Sequence, residues 1–168
     1  MAELASPQEV YAKLKQDQLF QDWKKNHSSA ILSHFFCPLT SELKVKENWD
    51  IGFYDKGKIT VFSLIENGFA IKPEDDVFKD PQEEVEFLDM NKIKISIDDA
   101  AAKYDEAAED KFSHEILGDG FLIIQTLHGK VLWNFTFISK SLKFANVKVD
   151  ASTGEIISSD LVNAVSQF

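Results

Sequence analysis

Two helical patterns of hydrophobic residues open the chain. The first begins at Ser6, where a serine, the proline after it and a glutamate three residues later are typical of a helix start. The second begins at Asp17, and its apolar side is formed by Leu19, Phe20, Trp23 and His27. Residues 1–28 are therefore predicted to form two packing helices.

From residue 29 the pattern becomes that of β-strands. Four strands are expected: a run from Ile31 that ends at Pro38, residues 49–54, residues 58–65 and a run from Phe69. Asn67-Gly68 separates the last two, and an Asn-Gly pair in this position predicts a hairpin because both central residues must tolerate positive φ. Residues 29–73 are predicted to form a first antiparallel β half.

An acidic connector follows at residues 74–92. Its carboxylates raise the alternative of a calcium loop, but the alternating ligand spacing and the central glycine of an EF-hand are lacking. We interpret the segment as a solvated linker.

The second half, residues 93–168, begins with a helix. Ser96 suits its N-cap, Asp98 and Asp99 suit the positive end of its dipole, and its alanines allow a close approach to a sheet. Strands are predicted at residues 121–127, 130–138, 144–149 and 155–158.

The connection between the last two strands offers a chemical alternative. A metal or phosphate site around Asp150, Thr153 and Glu155 is the alternative, but a metal needs more ligands than this loop provides. Gly154 supplies positive φ, and Asp150 and Thr153 can bond the backbone of their own turn. We interpret the stretch as a turn.

Two of the predicted strands, at residues 59–65 and 121–124, have apolar residues on both sides. An antiparallel sheet with one solvated face alternates more cleanly, so we expect the face away from the helix to be covered. Packing by the other half of the chain is the first interpretation. A second subunit, a bound partner and an apolar ligand are the alternatives.

Composition narrows the class of partner. The net charge is −10, and all 18 basic residues are lysine. Bidentate recognition of phosphate or guanine uses the guanidinium of arginine, so nucleic-acid binding is not expected. No stretch approaches the roughly 20 apolar residues of a membrane span, and residues 1–26 hold no apolar run fit for a signal peptide. We expect a cytoplasmic protein.

Side chains that carry chemistry are few. The four histidines form no helical i, i+4 pair. Cys37, the single cysteine, is three residues from His34, which a strand places on the opposite face, so we interpret Cys37 as a buried small hydrophobe. Residues 118–120, Gly-Asp-Gly, lack the context of a phosphate loop and are interpreted as a flexible turn. We predict no catalytic residue, no cofactor and no metal.

The two halves contain similar segments. WDIGFYDK at residues 49–56 aligns with WNFTFISK at residues 133–140, and Asn67-Gly68 then falls opposite Thr153-Gly154. Duplication is one interpretation, and a chance match between two aromatic-rich hairpins is the other.

The second half resembles the PepSY-like domains of peptidase propeptides. The resemblance covers about residues 93–158 and rests on ISIDDA at residues 95–100, WNFTF at residues 133–137 and VKVDASTGEII at residues 147–157. It implies a cystatin-like helix packed on an antiparallel sheet, often in tandem copies. It also implies a binding or inhibitory role in place of catalysis.

The predicted fold is α+β, with two similar helix-on-sheet halves. The predicted function is that of a non-catalytic protein-binding or regulatory module, and the regulation includes inhibition. Its predicted partner is another protein or a second copy of the chain. The alternative is a small-ligand-binding protein or an enzyme with a pocket between helix and sheet. Four aromatic residues are candidates for contact or core positions: Trp49, Phe53, Trp133 and Phe137.

Overall fold

The computed structural model describes residues 4–76 and 84–163, and it contains one antiparallel sheet of eight strands with three α-helices. The predicted α+β class is therefore confirmed. The helices are α1 (Pro7–Gln16), α2 (Gln18–Lys25) and α3 (Ile97–Lys111), and a short 3-10 helix spans Met90–Lys92. The strands are β1 (Ile31–Leu39), β2 (Asp50–Asp55), β3 (Lys58–Ile65), β4 (Gly68–Asp76), β5 (Leu117–Leu127), β6 (Lys130–Ser139), β7 (Lys143–Asp150) and β8 (Ile156–Asn163).

Each α-helix begins at the residue that the sequence predicts. The side chain of Ser6 accepts a hydrogen bond from the N–H of Glu9 at 3.2 Å, and Ser96 accepts one from Asp99 at 3.1 Å. Asp17 accepts hydrogen bonds from two N–H groups of the first turn of α2. These bonds satisfy backbone donors that have no partner within a helix, which fixes where each helix starts.

The sheet has the order β4-β3-β2-β1-β5-β6-β7-β8. The first four strands and the last four each form a meander, and the two meanders meet where β1 pairs with β5, from His34 opposite Gln125 to Leu39 opposite Gly120. The halves lie side by side in one sheet. The interpretation that one half covers the other half's second face is therefore wrong.

All three helices pack on the same face of the sheet. The strand registers place Phe35 opposite Ile124. They also put Phe53 and Phe137 on the same face of the sheet as these two residues. Ring pairs join every helix to that side, and one from each helix is Tyr11 with Phe35, Phe20 with Phe53, and Tyr104 with Phe137. Burial of each large apolar side chain contributes roughly 1.5–3 kcal/mol, so this continuous aromatic layer stabilises both halves together.

Two details of the first half differ from the prediction. β1 continues through Pro38 to Leu39, because it stays paired with β5 as far as Leu39. Its pairing with β2 ends at Phe36, and beyond that point the carbonyl of Pro38 accepts the N–H of Lys46 at 3.0 Å. The β3–β4 hairpin is present, but Ile65 pairs with Gly68, so its two loop residues are Glu66 and Asn67.

The acidic connector is described only in part. β4 extends to Asp76, and residues 77–83 of the predicted linker lie outside the described residues. Beyond them, Leu88 is fully buried and donates its N–H to the carbonyl of Leu32 at 2.9 Å. This end of the connector is therefore packed against the start of β1.

The turn before β8 has the predicted form. The carboxylate of Asp150 accepts the N–H groups of Ser152 and Thr153 at 2.8 and 3.2 Å, and Gly154 has a φ of +80°. The side chain of Thr153 accepts the N–H of Glu155. Asp150 is thus committed to its own backbone, as we predicted.

Residues 118–120 do not form a flexible turn. They belong to β5, where the register with β6 shifts between Leu117 and Gly120. A Cβ atom added at Gly120 would lie 1.9 Å from the backbone oxygen of Thr136 and 2.8 Å from the Cα of Phe137. Glycine is therefore required by the close approach of β6, which is a backbone constraint and not a flexible joint.

We predict that Gly120→Ala lowers the free energy of unfolding by about 2–4 kcal/mol, because backbone atoms of β6 must move to admit the methyl group. Gly118→Ala is the matched control, since its Cβ would meet only the carbonyl of Ile138 at 3.1 Å. Denaturant unfolding of both variants measures the difference. Equal losses would contradict the proposed backbone clash.

Candidate functional site

The face of the sheet opposite the helices, here called the open face, has an apolar centre. Phe36 pairs with Ile123 and Pro38 with Phe121 across the β1–β5 junction. The rings of Phe36 and Phe121 lie 5.5 Å apart, and all four side chains are half-buried. We call these four residues the apolar strip. The strip explains why residues 121–124 are apolar on both sides of their strand.

Polar networks flank the apolar strip. On the β2–β4 side, Asp50 accepts hydrogen bonds from Ser63 at 2.6 Å and from Lys72 at 2.7 Å. On the β6–β7 side, Asn146 donates to Asn134 and Thr136 at 2.6 and 2.9 Å, while Lys148 donates to Asn146. An apolar centre with polar groups around it also occurs at protein–protein interfaces.

His34 lies beside the strip on the same face. Its ring covers Gly52, where a Cβ atom would lie 2.2 Å from the ring, and its Nδ1 is 3.0 Å from the hydroxyl of Ser33. Burial lowers the pKa of His34, and the carboxylate of Asp50 acts in the opposite direction. The imidazole is therefore favoured in its neutral form.

A groove lies on the other side of the sheet, between the starts of α1 and α3. It has a volume of about 350 Å³, and its lining includes the two N-caps, Ser6 and Ser96, together with Lys94 and Trp133. The side chain of Gln8 bridges the two segments by donating to the carbonyl of Ile93 at 3.2 Å. The groove thus brings the first half of the chain next to the second.

The two tryptophans of the similar segments differ in their hydrogen bonds. Both Trp49 and Trp133 are fully buried. The indole N–H of Trp49 donates to the carbonyl of Ala5 at 2.8 Å, whereas the N–H of Trp133 has no partner among the described residues. The hydroxyl of Tyr104 is also buried without a partner, but Tyr104 is not among the lining residues of the groove. An unpaired buried donor is costly and requires a physical explanation.

The four aromatic residues singled out from the sequence all lie in the core. Trp49, Trp133 and Phe137 are fully buried, and Phe53 is 3% exposed. They face the helices, so they present no surface to a partner on the open face. Trp133 alone among them lines the groove. The apolar centre of the open face is formed instead by the half-buried residues of the apolar strip. The sequence signal for this strip was the pattern of apolar residues on both sides of the strand at residues 121–124.

The remaining chemical candidates are inert or dispersed. Cys37 is fully buried, which confirms its interpretation, and burial together with the carboxylates of Asp50 and Glu47 raises its thiol pKa to about 12. Within residues 4–76 and 84–163, no three His, Cys, Asp or Glu side chains cluster in a way that could hold a metal ion. None of the helices in these ranges has the length and apolar character needed to cross a membrane.

Comparison with known proteins gives one structural likeness. No protein-family model matches the chain, and no curated protein sequence matches it. Among solved structures, the chain is similar to a "putative lipoprotein" from Clostridium difficile 630, with 13% sequence identity and a TM-score of 0.49 over 85% of this chain and 90% of that chain. Values this low define neither the family nor the function of this protein.

The lowered pKa of His34 predicts a pH dependence of stability. Above the ordinary pKa of 6.5 the ring is neutral in both states, so His34 contributes no dependence there. As the pH falls below 6.5, the unfolded chain binds the proton first, and the free energy of unfolding decreases until the lowered pKa of the folded state is passed.

Denaturant unfolding at several pH values, compared between the wild type and His34→Gln, measures this contribution. The wild type should lose more stability than the variant between pH 7.5 and pH 5.5, since the other titrating groups are common to both. If the free energies of unfolding of the two proteins changed in parallel with pH, the predicted contribution of His34 would be contradicted.

The unequal indole bonds predict unequal costs for one substitution. Trp49→Phe removes the bond to Ala5 and leaves a carbonyl without its partner, whereas Trp133→Phe removes a donor that has no partner. The loss of ring volume is similar, so Trp49→Phe should lower the free energy of unfolding by about 1–2 kcal/mol more than Trp133→Phe. A larger loss for Trp133→Phe in denaturant titrations would mean that its N–H has a partner in solution.

Proposed function

We propose that this protein is a non-catalytic protein-binding module that binds through the open face of its sheet, and that the occupant of this face is a second copy of the chain. The observation that carries the proposal is the apolar strip of Phe36, Pro38, Phe121 and Ile123. These side chains remain half-buried at the centre of a face on which none of the three helices lies. Apolar patches of this kind mark interaction surfaces.

The size of the open face suits such an interface. Eight strands at about 4.8 Å spacing, each about eight residues long, form a face of roughly 900 Å². A standard protein–protein interface buries roughly 800 Å² on each partner. Two open faces in contact would therefore supply enough area for a stable dimer.

The distribution of charge favours a second copy despite the net charge of −10. On the open face the carboxylate of Asp50 is paired with Lys72, and the positive charge of Lys148 is balanced by Asp160, which lies opposite Asn146 in the register of β7 and β8. α3 alone carries six carboxylates, and it lies on the opposite face. Contact between two open faces keeps these carboxylates far apart, so like-charge repulsion is small.

We further propose that the chain consists of two PepSY-like, cystatin-like halves. The order of elements supports this, since each half begins with a serine-capped helix and ends in a four-stranded meander, although the first half has α2 between the two. The segments with Trp49 and Trp133 occupy corresponding places, before β2 and in β6. A binding role and a cytoplasmic location are proposed with this assignment.

Sedimentation equilibrium with native mass spectrometry tests the proposed interface. The wild type should be a dimer at micromolar concentration, and Phe121→Glu should raise the dissociation constant at least about tenfold, because a charge at the centre of the interface is desolvated in both copies. Ile116→Lys is the matched control, since Ile116 is 63% exposed and follows α3 away from the strip.

Thr136→Lys gives a second test that leaves the apolar strip intact. Thr136 pairs with Phe121 across β5 and β6, so the lysine adds a charge to the same face, and the contact that it removes is the hydrogen bond from Asn146. Both open-face variants should be monomeric with cooperative thermal unfolding, while Ile116→Lys should remain dimeric. A wild type that is monomeric at 100-fold higher concentration, or folded open-face variants that stay dimeric, would overturn the proposal.

A further inference from the structure

The sheet ends in two edge strands that differ in sequence. β4 contains Lys72 and Pro73, followed by three acidic residues. Lysine and proline on an edge strand hinder its pairing with a further strand, and the nitrogen of proline has no hydrogen to donate. β8, with the sequence IISSDLVN, contains neither, and Asp160 is its only charged residue. β8 is therefore an edge without these protective residues.

The outer side of β8 has no neighbouring strand among residues 4–76 and 84–163. Its inner side pairs with β7 in continuous register from Ser158 to Asn163, so the backbone is already extended there. Leu161 is exposed, and it pairs with the buried Ala145, which places its side chain on the helix face. An edge of this kind binds an extended segment through main-chain hydrogen bonds.

α3 flanks this edge on the helix face, since it packs on β6, β7 and β8. A cleft of about 310 Å³ lies between α3 and the turn before β8, and its lining residues are Ile95, Asp99, Ala102, Lys103, Thr153 and Gly154. The helical period places Glu106 and Asp110 on the same side of α3 as Asp99 and Lys103. All four are exposed, and three carboxylates against one lysine give this side a net charge of −2.

This charge decides between two occupants of the edge. Antiparallel pairing of β8 with the β8 of a second copy would bring two α3 helices together on one face, each with six carboxylates and two lysines, and they would repel each other. A segment with basic side chains is attracted instead. Glu106 and Asp110 lie about 6 Å apart along the helix axis, which is close to the roughly 6.8 Å between alternate residues of a strand.

We propose that β8 binds an extended basic segment of another protein as the ninth strand of the sheet, with lysine or arginine side chains at alternate positions directed to Glu106 and Asp110. The aliphatic stems of these side chains lie against Leu161. The site is at the margin of the sheet and the apolar strip is at its centre, so this contact does not depend on the proposed dimer.

Titration of the full ¹⁵N-labelled chain with a peptide of alternating lysine and valine tests the proposal, because one side of that strand is basic. The amide signals of residues 158–162 should shift and saturate. Two control peptides should bind at least about tenfold more weakly. One has glutamate in place of lysine, and the other keeps the lysines but has proline in place of valine, which does not suit a strand.

Leu161→Lys tests the edge itself. A lysine there opposes both pairing and the basic peptide, so the dissociation constant should rise at least about tenfold. Ile71→Lys is the matched control on the other edge, since Ile71 is 41% exposed and Leu161 38%, and each pairs with a buried residue of the helix face. The control should bind the peptide like the wild type.

Glu106→Gln keeps the proposal testable if Leu161→Lys does not fold, since Glu106 is exposed. It should weaken binding of the lysine peptide several-fold. Asp105→Asn removes the same charge from the other side of α3 and should change the affinity less than twofold. Equal effects of these two substitutions would overturn the proposal, and so would equal affinity for the lysine and glutamate peptides.

Hydrogen exchange of the free chain distinguishes the other occupants. The alternate amides of β8 that do not bond to β7 should exchange rapidly until the lysine peptide is added. Protection that grows with protein concentration would assign the edge to a second copy. Protection that is independent of concentration would assign it to another part of the same chain. Either result would overturn the proposal.

Discussion

The antiparallel pairing of β1 with β5 is the contact on which the rest of the structure depends. Without it, each meander would present the backbone donors and acceptors of its first strand as a free edge. The pairing satisfies both edges at once and aligns Phe35 with Ile124 in one apolar layer. It also places the two meanders in one sheet, so that the three helices share one face and no helix of the described residues lies on the other.

This arrangement separates two surfaces with different chemistry. The open face has an apolar centre between hydrogen-bonded polar networks, which suits a broad and dry contact. The groove on the helix face is small, and it combines apolar walls with two helix N-termini, whose first turns carry the carboxylates of Glu9, Asp98 and Asp99. The open face is the broader of the two surfaces, and the proposed contact with a second copy of the chain uses it.

Several parts of the structure could be predicted because their causes are local. The helix starts at Ser6, Asp17 and Ser96 depend on a side chain and a backbone N–H two or three residues away. The turn at Asp150 depends on its own carboxylate and on the positive φ of Gly154. Gly120 was misread for the opposite reason, since the need for glycine comes from the carbonyl of Thr136 on a neighbouring strand.

The candidate sites were only partly visible in the sequence. The two-sided apolar pattern of residues 121–124 indicated a second face, but its position beside Phe36 requires the β1–β5 register. The tryptophans of the two similar segments could be recognised as a pair, yet nothing in their spacing distinguishes the bonded N–H of Trp49 from that of Trp133, which has no partner among the described residues. Short-range hydrogen bonds and hydrophobic periodicity determined the elements and the α+β class. Only the tertiary structure decided that the halves lie side by side and that two helix N-termini meet at one groove, because both follow from contacts between residues far apart in the chain.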